Sequence, residues 1–154
     1  MSTLKVDTYL TRGGASEIAI DKLKGVTAAG SMLVVAEGGT NTTNLQQGLA
    51  KFWIQHNDGA SVADSFNAGS TTDNGTGDYS HAFTNNMRAA GNYALSGLAL
   101  AINDKASFIN GSSGNVEFAA ASFRYQTGFV ANTGGAQTNH DCSATSPVVH
   151  GDLA

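Results

Sequence analysis

Cysteine, proline and charged residues are all scarce in this sequence, which has one cysteine and one proline in 154 residues. Cys142 has no partner for an intrachain disulfide, so the fold depends on its core or on association with other chains. A single proline excludes a proline-rich linker and a collagen-like segment. Charged residues make up 13% of the chain, about half of the roughly 25% in a typical soluble domain. Short polar residues replace them, and such surfaces suit contacts between identical subunits.

Basic clusters and long apolar runs are also missing. The formal net charge is −4, and the densest basic pair is Lys22 with Lys24. Because phosphate contacts need clusters of basic side chains, we expect no nucleic-acid partner. No apolar run approaches the roughly 18 residues that span a bilayer, so we expect no membrane insertion. The N-terminus has no basic start followed by an apolar run, and we expect no secretory signal.

The stretch from Leu49 to Tyr93 alternates short apolar runs with turn residues. Its aromatic residues are spaced as the inward side chains of short strands; they are Phe52, Trp53, Phe66, Tyr79 and Phe83. Asp-Gly, Asp-Asn-Gly and Gly-Asp sequences between them can reverse the chain. This pattern predicts a rigid β scaffold and favours assembly or surface recognition over catalysis.

We divide the chain near Asn44. Residues 1–44 are predicted to form an extended N-terminal arm of short strands, including a buried strand over 32–36 between glycines. Because short strands without an amphipathic partner are marginal alone, we expect neighbouring subunits to stabilise the arm. Its candidate attachment residues are the apolar ones of its first two extended pieces: Leu4, Val6, Ile18 and Ile20.

Residues 45–154 are predicted to form one antiparallel β-sandwich or jelly roll. The strands are expected at about 49–56, 62–67, 78–83, 93–102, 106–109, 116–126 and 147–152. The composition of residues 92–102 also fits a helix; we favour a strand, with a bulge at Gly97. The polar stretch 127–146 is predicted to be the longest loop, and this stretch and the turns near 57–60 and 73–78 are the candidate contact surfaces. The candidate contact residues of the stretch are Phe129, Asn132, Asn139, His140 and Asp141.

Candidate chemistry in the chain is weak. His140, Asp141, Cys142 and His150 could ligate a metal, but neighbouring residues in an extended chain point to opposite faces. Cys142 with either histidine has no nucleophile signature around it. The acidic and amide residues of 73–78 could hold calcium, although a hairpin turn explains them more simply. We therefore predict no catalytic residue, no metal and no cofactor.

The aromatic residues allow either a sugar-stacking platform or core packing. Most of them lie at strand positions, where core packing is the better explanation. Phe129, within a polar stretch, is the one we expect to be exposed.

Several short motifs resemble a module in virion proteins of tailed bacteriophages, especially phages of marine bacteria and cyanobacteria. They are NLQQGLAKFW from Asn44, DSFN at 64–67, TDNGTGDY at 72–79, FTNNM at 83–87 and NYAL at 92–95. The opening MSTLKVDT resembles the start of phage fibre and tail proteins, and GDLA at 151–154 fits the same module. These motifs are scaffold and turn residues, so no catalytic or ligand-binding residue carries over from them.

The resemblance implies a homo-oligomeric, often trimeric, structural protein with a β-rich body and an N-terminal attachment segment. The chain departs from a long adsorption fibre because it has no shaft. We therefore expect a non-enzymatic homotrimer in the virion, a short tail fibre or fibre tip that contributes to host recognition. The alternatives are a capsid decoration protein and, more distantly, a carbohydrate-binding module or adhesin. The expected partners are further copies of the chain, other virion proteins bound by the arm, and a host-surface glycan or receptor.

Overall fold

The structure is a computed structural model that describes residues 32–35, 39–100, 106–110, 117–130 and 137–154. Strands dominate it, and the only helix in this part of the chain is a single turn capped by the Asn44 side chain. The elements in order are β1 Leu33–Val35, β2 Thr42–Asn44, α1 Leu45–Gly48, β3 Ala50–His56, β4 Val62–Phe66, β5 Ala68–Gly75, β6 Asp78–Phe83, β7 Tyr93–Leu100, β8 Ala106–Asn110, β9 Glu117–Phe118, β10 Ser122–Val130, β11 Gln137–Asn139 and β12 Ala144–Gly151.

Two antiparallel sheets form a sandwich, so the all-β prediction is confirmed. The front sheet has the order β4-β3-β12-β7. The back sheet has the order β11-β10-β6-β5, and β8 and β9 also pair with β10. Because Gly128 to Val130 pair with both β8 and β11, these two strands occupy opposite edges of β10. The short hairpin of β1 and β2 forms a separate two-stranded sheet.

The core between the sheets is aromatic. Phe52 of the front sheet meets Phe123 of the back sheet edge-to-face, with ring centroids 5.0 Å apart, and meets Phe83 in the same way at 5.5 Å. Edge-to-face geometry sets the positive ring edge against the negative ring face, which favours such pairs beyond simple burial. The buried cluster consists of Phe52, Ile54, Tyr79, Phe83, Met87, Phe123, Tyr125 and Val149.

Two of the five aromatic residues predicted to point inward point outward instead. Trp53 is 36% exposed and Phe66 is 51% exposed, and they are direct neighbours across β3 and β4. Adjacent residues in a strand face opposite sides, so Phe52 and Trp53 cannot both enter the core. The second sheet covers the face that carries Phe52.

Strand β7 confirms the preference for a strand over a helix between residues 93 and 100, but the predicted bulge is wrong. The pairing of β7 with β12 continues one-to-one through Gly97, which lies opposite Pro147. A Cβ on Gly97 would lie 2.7 Å from Cδ1 of Ile109, so glycine allows close packing at this position. Without a bulge, Leu98 and Leu100 fall on the outer face, where they are 68% and 57% exposed.

The predicted loop over 127–146 is wrong at both ends. Strand β10 continues to Val130, β11 lies within the stretch, and β12 begins at Ala144. The predicted strand over 116–126 divides into β9 and β10, with a turn in which the Ala119 N–H donates to the Ser122 carbonyl at 2.9 Å. Strand β5 was not predicted, because AGSTTDNG is rich in turn formers. Its pairing with β6 outweighs that local preference.

The described residues begin at Met32. Strand β1 lies at the predicted position but is exposed rather than buried, with Leu33 at 55% and Val35 at 62%. The predicted strands around Leu4, Val6, Ile18 and Ile20 lie outside the described residues. Within the described part of the chain, no helix is long and apolar enough to cross a membrane.

Candidate recognition surface

Three chain reversals meet at one end of the sandwich, which we call the loop end. They are the β3–β4 turn at residues 57–61, the β5–β6 turn at residues 75–77, and the β11–β12 connection at residues 140–143. The sequence suggested each of these segments separately as a contact surface. The structure shows that they form one continuous surface, joined by hydrogen bonds between the segments.

The β3–β4 turn is closed by its own first residue. The Asn57 side-chain oxygen accepts from the backbone N–H groups of Gly59 at 3.1 Å and Ser61 at 2.8 Å. Ala60 adopts a φ of 57°, a left-handed conformation that costs non-glycine residues about 1 kcal/mol or more. Asparagine therefore organises the turn from its side chain, as it does in Asx turns.

The β5–β6 turn depends on glycine. Gly75 and Gly77 have φ values of 128° and 63°, and the Asp73 carboxylate accepts from the Gly75 N–H at 2.9 Å. A Cβ on Gly77 would lie 2.7 Å from the backbone nitrogen of His140. Only glycine tolerates both the conformation and the close approach of the β11–β12 connection.

Thr127 links these two segments through three hydrogen bonds. Its N–H donates to the Gly77 carbonyl at 2.8 Å, and its carbonyl accepts from the His140 N–H at 3.1 Å. Its side-chain hydroxyl donates to the His140 carbonyl at 2.8 Å. Thr127 is fully buried, so water does not compete for these bonds.

Asp141 and Tyr79 connect all three segments. The Asp141 carboxylate accepts from the Gly77 N–H at 2.5 Å. The buried Tyr79 hydroxyl lies 3.1 Å from the same carboxylate oxygen and 2.9 Å from the carbonyl oxygen of Asp58. Burial and the nearby Asp141 charge raise the pKa of Tyr79, so the phenol keeps its proton and donates it. The loop end is therefore a surface held by the core rather than a set of independent loops.

The predicted recognition residues fall into several environments. Asn139 is exposed at the end of β11, whereas Asp141 is half-buried in the contacts just described. Phe129 was expected to be exposed, but it is half-buried and its ring meets the His140 ring edge-to-face at 5.2 Å. Asn132 lies outside the described residues.

The two metal hypotheses find little support in the geometry. No group of three or more His, Cys, Asp or Glu side chains within the described ranges could hold a metal ion. In the 73–78 turn, the Asp78 carboxylate is bound by both arms of the Arg124 guanidinium, each at 2.7 Å. This pairing lowers the pKa of Asp78 and uses the oxygens that calcium would need. Cys142 is fully buried, and burial raises the pKa of its thiol.

The sequence analysis missed a buried chain of polar side chains in the core. His56 Nε2 lies 2.5 Å from the Tyr125 hydroxyl, which lies 3.2 Å from His81 Nε2. His81 Nδ1 lies 3.1 Å from the Thr71 hydroxyl, and His56 Nδ1 lies 2.8 Å from the Asn57 carbonyl oxygen. Alternation could have revealed these histidines, because His56 is in phase with Phe52 and Ile54.

One arrangement of hydrogen atoms gives every buried polar side chain in this series a donor or acceptor partner. The Asn57 carbonyl can only accept, so His56 Nδ1 carries a proton and its neutral Nε2 accepts from Tyr125. The Tyr125 oxygen then accepts from His81 Nε2, and His81 Nδ1 accepts from Thr71. Both imidazoles must be neutral in this arrangement. Burial lowers the pKa of His56 and brings that of His81 to about 3, which agrees with it.

No family model, curated protein or solved structure matches this chain. The fold and the loop end therefore define the protein only as an antiparallel β-sandwich that presents one organised end.

Proposed function

We propose that this chain is a non-enzymatic structural protein of a tailed-phage virion, a homotrimeric short tail fibre or fibre tip that contributes to host-surface recognition. The observation that carries the recognition role is the loop end, where three separate segments share one framework of hydrogen bonds through Asp141, Tyr79 and Thr127. The assignment to a virion rests on the phage-like motifs in the sequence.

A fixed loop end supports recognition for an energetic reason. Ordering a mobile loop on binding costs roughly 1–2 kcal/mol for each residue whose backbone is fixed. The β-sandwich meets this cost during folding, so contacts at the loop end contribute to affinity more fully. Asp58, Thr76 and Asn139 are exposed there and available to a partner.

The location is tested by immunogold electron microscopy of phage particles with antibody against residues 45–154. Label at the tail supports the proposed fibre role. Label over the head would replace it with the alternative of a capsid decoration protein. Particles without label would contradict a virion protein of either kind.

The recognition role is tested by competition, with purified full-length protein added to phage and host cells. We expect the wild-type protein to reduce phage adsorption, and the variants Thr76→Lys and Asn139→Lys to do so less effectively. Asn86→Lys is the matched control, because Asn86 is exposed near the end of β6, on the opposite side from the loop end. Equal competition by all four proteins would place recognition elsewhere.

A further inference from the structure

The outer face of the front sheet presents large apolar side chains to solvent. Phe66 on β4 lies beside Trp53 on β3, and Trp53 lies beside Val148 on β12. On the same face of β7, Leu98 lies beside Ser146 and Leu100 beside Ala144. The exposed fractions of the four largest side chains are 36% for Trp53, 51% for Phe66, 68% for Leu98 and 57% for Leu100.

The apolar area of this face is comparable with the largest patch on a typical monomer, which is often a functional surface. At these fractions, the four side chains expose roughly 450 Å², within the roughly 300–600 Å² of the largest patch on a typical monomer. A standard interface takes about 800 Å² from each partner. The four side chains would supply more than half of that area, and Val148 and Ala94 lie on the same face.

The face is also nearly free of charge. Asp64 is exposed on the edge strand β4. Lys51 is only 6% exposed, and its ammonium group donates to the carbonyl oxygens of Gln46 and Leu49. Another copy of the chain can therefore cover this face while few charges lose their water.

Large and small side chains alternate across neighbouring strands of the face. Leu98 and Leu100 form a ridge along β7, next to the smaller Ser146 and Ala144 of β12. A ridge beside a furrow gives a second copy a shaped surface to pack against, and in a cyclic trimer the surface that packs there is a different one of the neighbouring copy.

We propose that a second copy of this chain binds the outer face of the front sheet, with Trp53, Phe66, Leu98 and Leu100 at the contact. The biological setting of this contact rests on the proposed function, which it deepens by naming the face that joins the subunits. One end of this face adjoins the loop end, because the Ser143 hydroxyl donates to the Leu100 carbonyl at 2.9 Å.

The test is sedimentation velocity of the full-length chain from roughly 1 µM to roughly 100 µM, where mass action reveals self-association. We expect an oligomer for the wild type, and a dissociation constant at least about tenfold higher for Leu98→Glu and for Phe66→Glu. Thr72→Glu, at an exposed position of β5 in the back sheet, is the matched control and should associate like the wild type. Circular dichroism verifies that each variant is folded.

Fluorescence gives an independent measurement, because Trp53 is the only tryptophan. We expect its emission to move to longer wavelength when the wild-type protein is diluted and the outer face becomes exposed to water. Leu98→Glu should show the long-wavelength emission at every concentration.

A wild-type chain that is monomeric over the whole range would overturn the inference, as would an oligomer that Leu98→Glu and Phe66→Glu leave intact. Self-association that begins only after residues 1–31 are deleted would assign the face to that segment. If the wild-type protein is a monomer and its Trp53 emission changes when a host glycan is added, the outer face would be a sugar-binding surface instead. A monomer that still labels the tail and competes for adsorption would refute the contact and the homotrimer, and leave the virion and recognition roles standing.

Discussion

Asp141 contributes more to the loop end through hydrogen bonding than its half-buried position suggests. Its carboxylate accepts from the buried Gly77 N–H and lies within hydrogen-bonding distance of the Tyr79 hydroxyl. Gly77 cannot find another partner easily, because the chain around it is packed closely against His140 and Thr127. A buried backbone N–H without an acceptor costs about 1–3 kcal/mol.

We predict that Asp141→Ala lowers the free energy of unfolding by about 1–3 kcal/mol. Asp141→Asn keeps an oxygen acceptor of the same shape, so we expect it to lower stability by about 1 kcal/mol or less. Urea denaturation measures both changes, and hydrogen exchange at the Gly77 amide shows whether the turn opens locally. If the asparagine variant were as unstable as the alanine variant, the negative charge rather than the acceptor would be responsible.

At the scale of secondary-structure elements, strands β3, β6 and β10 are linked by the buried series of polar side chains. His56, His81 and Tyr125 come from three different strands and two different sheets. Each group in this series donates to the next, from Thr71 through His81, Tyr125 and His56 to the Asn57 carbonyl. The series is complete only when both imidazoles are neutral. This arrangement ties the packing of the two sheets to the protonation of the histidines.

We predict that the protein loses stability as the pH falls from about 6.5 toward about 4. His81 has an ordinary pKa of 6.5 when unfolded and a pKa of about 3 when folded. Between these values the unfolded state binds more protons, so the free energy of unfolding falls by up to about 1.4 kcal/mol per pH unit for this residue. Asp78 contributes only at lower pH, because its folded pKa lies below the ordinary 3.8.

Urea denaturation at several pH values compares the wild type with two variants. His81→Gln removes the titrating group. The slope of its free energy of unfolding against pH should therefore be smaller, by the amount that corresponds to about one bound proton. Thr71→Val removes the hydroxyl that donates to His81, so the variant should be less stable at every pH. The slope of its free energy of unfolding against pH should match that of the wild type. An unchanged slope in His81→Gln would show that other groups cause the acid sensitivity.

At the scale of the whole molecule, the core belongs to a continuous part of the chain. All eight residues of the buried cluster lie between Phe52 and Val149. The sandwich thus has its own core within the predicted domain 45–154. Across the predicted boundary, the Leu45 N–H donates to the Met32 carbonyl at 2.8 Å. The boundary near Asn44 stays a prediction.

We predict that a chain starting at Met32 unfolds in one cooperative transition, with a urea midpoint close to that of the full chain. The reason is that the deletion removes no residue of the buried cluster. The comparison is made at a protein concentration low enough for both chains to be monomers. A large drop in the midpoint would mean that residues 1–31 form part of the stable fold, and the predicted division of the chain would be wrong.

Sequence reasoning predicted the turns and most of the strands because these depend on local chemistry. Alternating apolar residues indicate β3 and β6, and Gly75 and Gly77 supply the positive φ values of the turn between β5 and β6. It missed β5, because that strand has a weak local preference and exists through its pairing with β6.

Tertiary structure alone decided which face of each strand enters the core and which distant residues meet. Strand β3 carries Phe52 on one face and Trp53 on the other, so either face could be buried until the back sheet covers one. The Gly77–Asp141 contact joins residues 64 positions apart, and the His56–Tyr125 contact joins residues 69 apart. A local sequence pattern holds no information about such pairs, because their distance depends on how the sheets stack. The alternation of the strands was therefore determined by the sequence alone, whereas the loop end and the exposed apolar face arise only when the two sheets pack together.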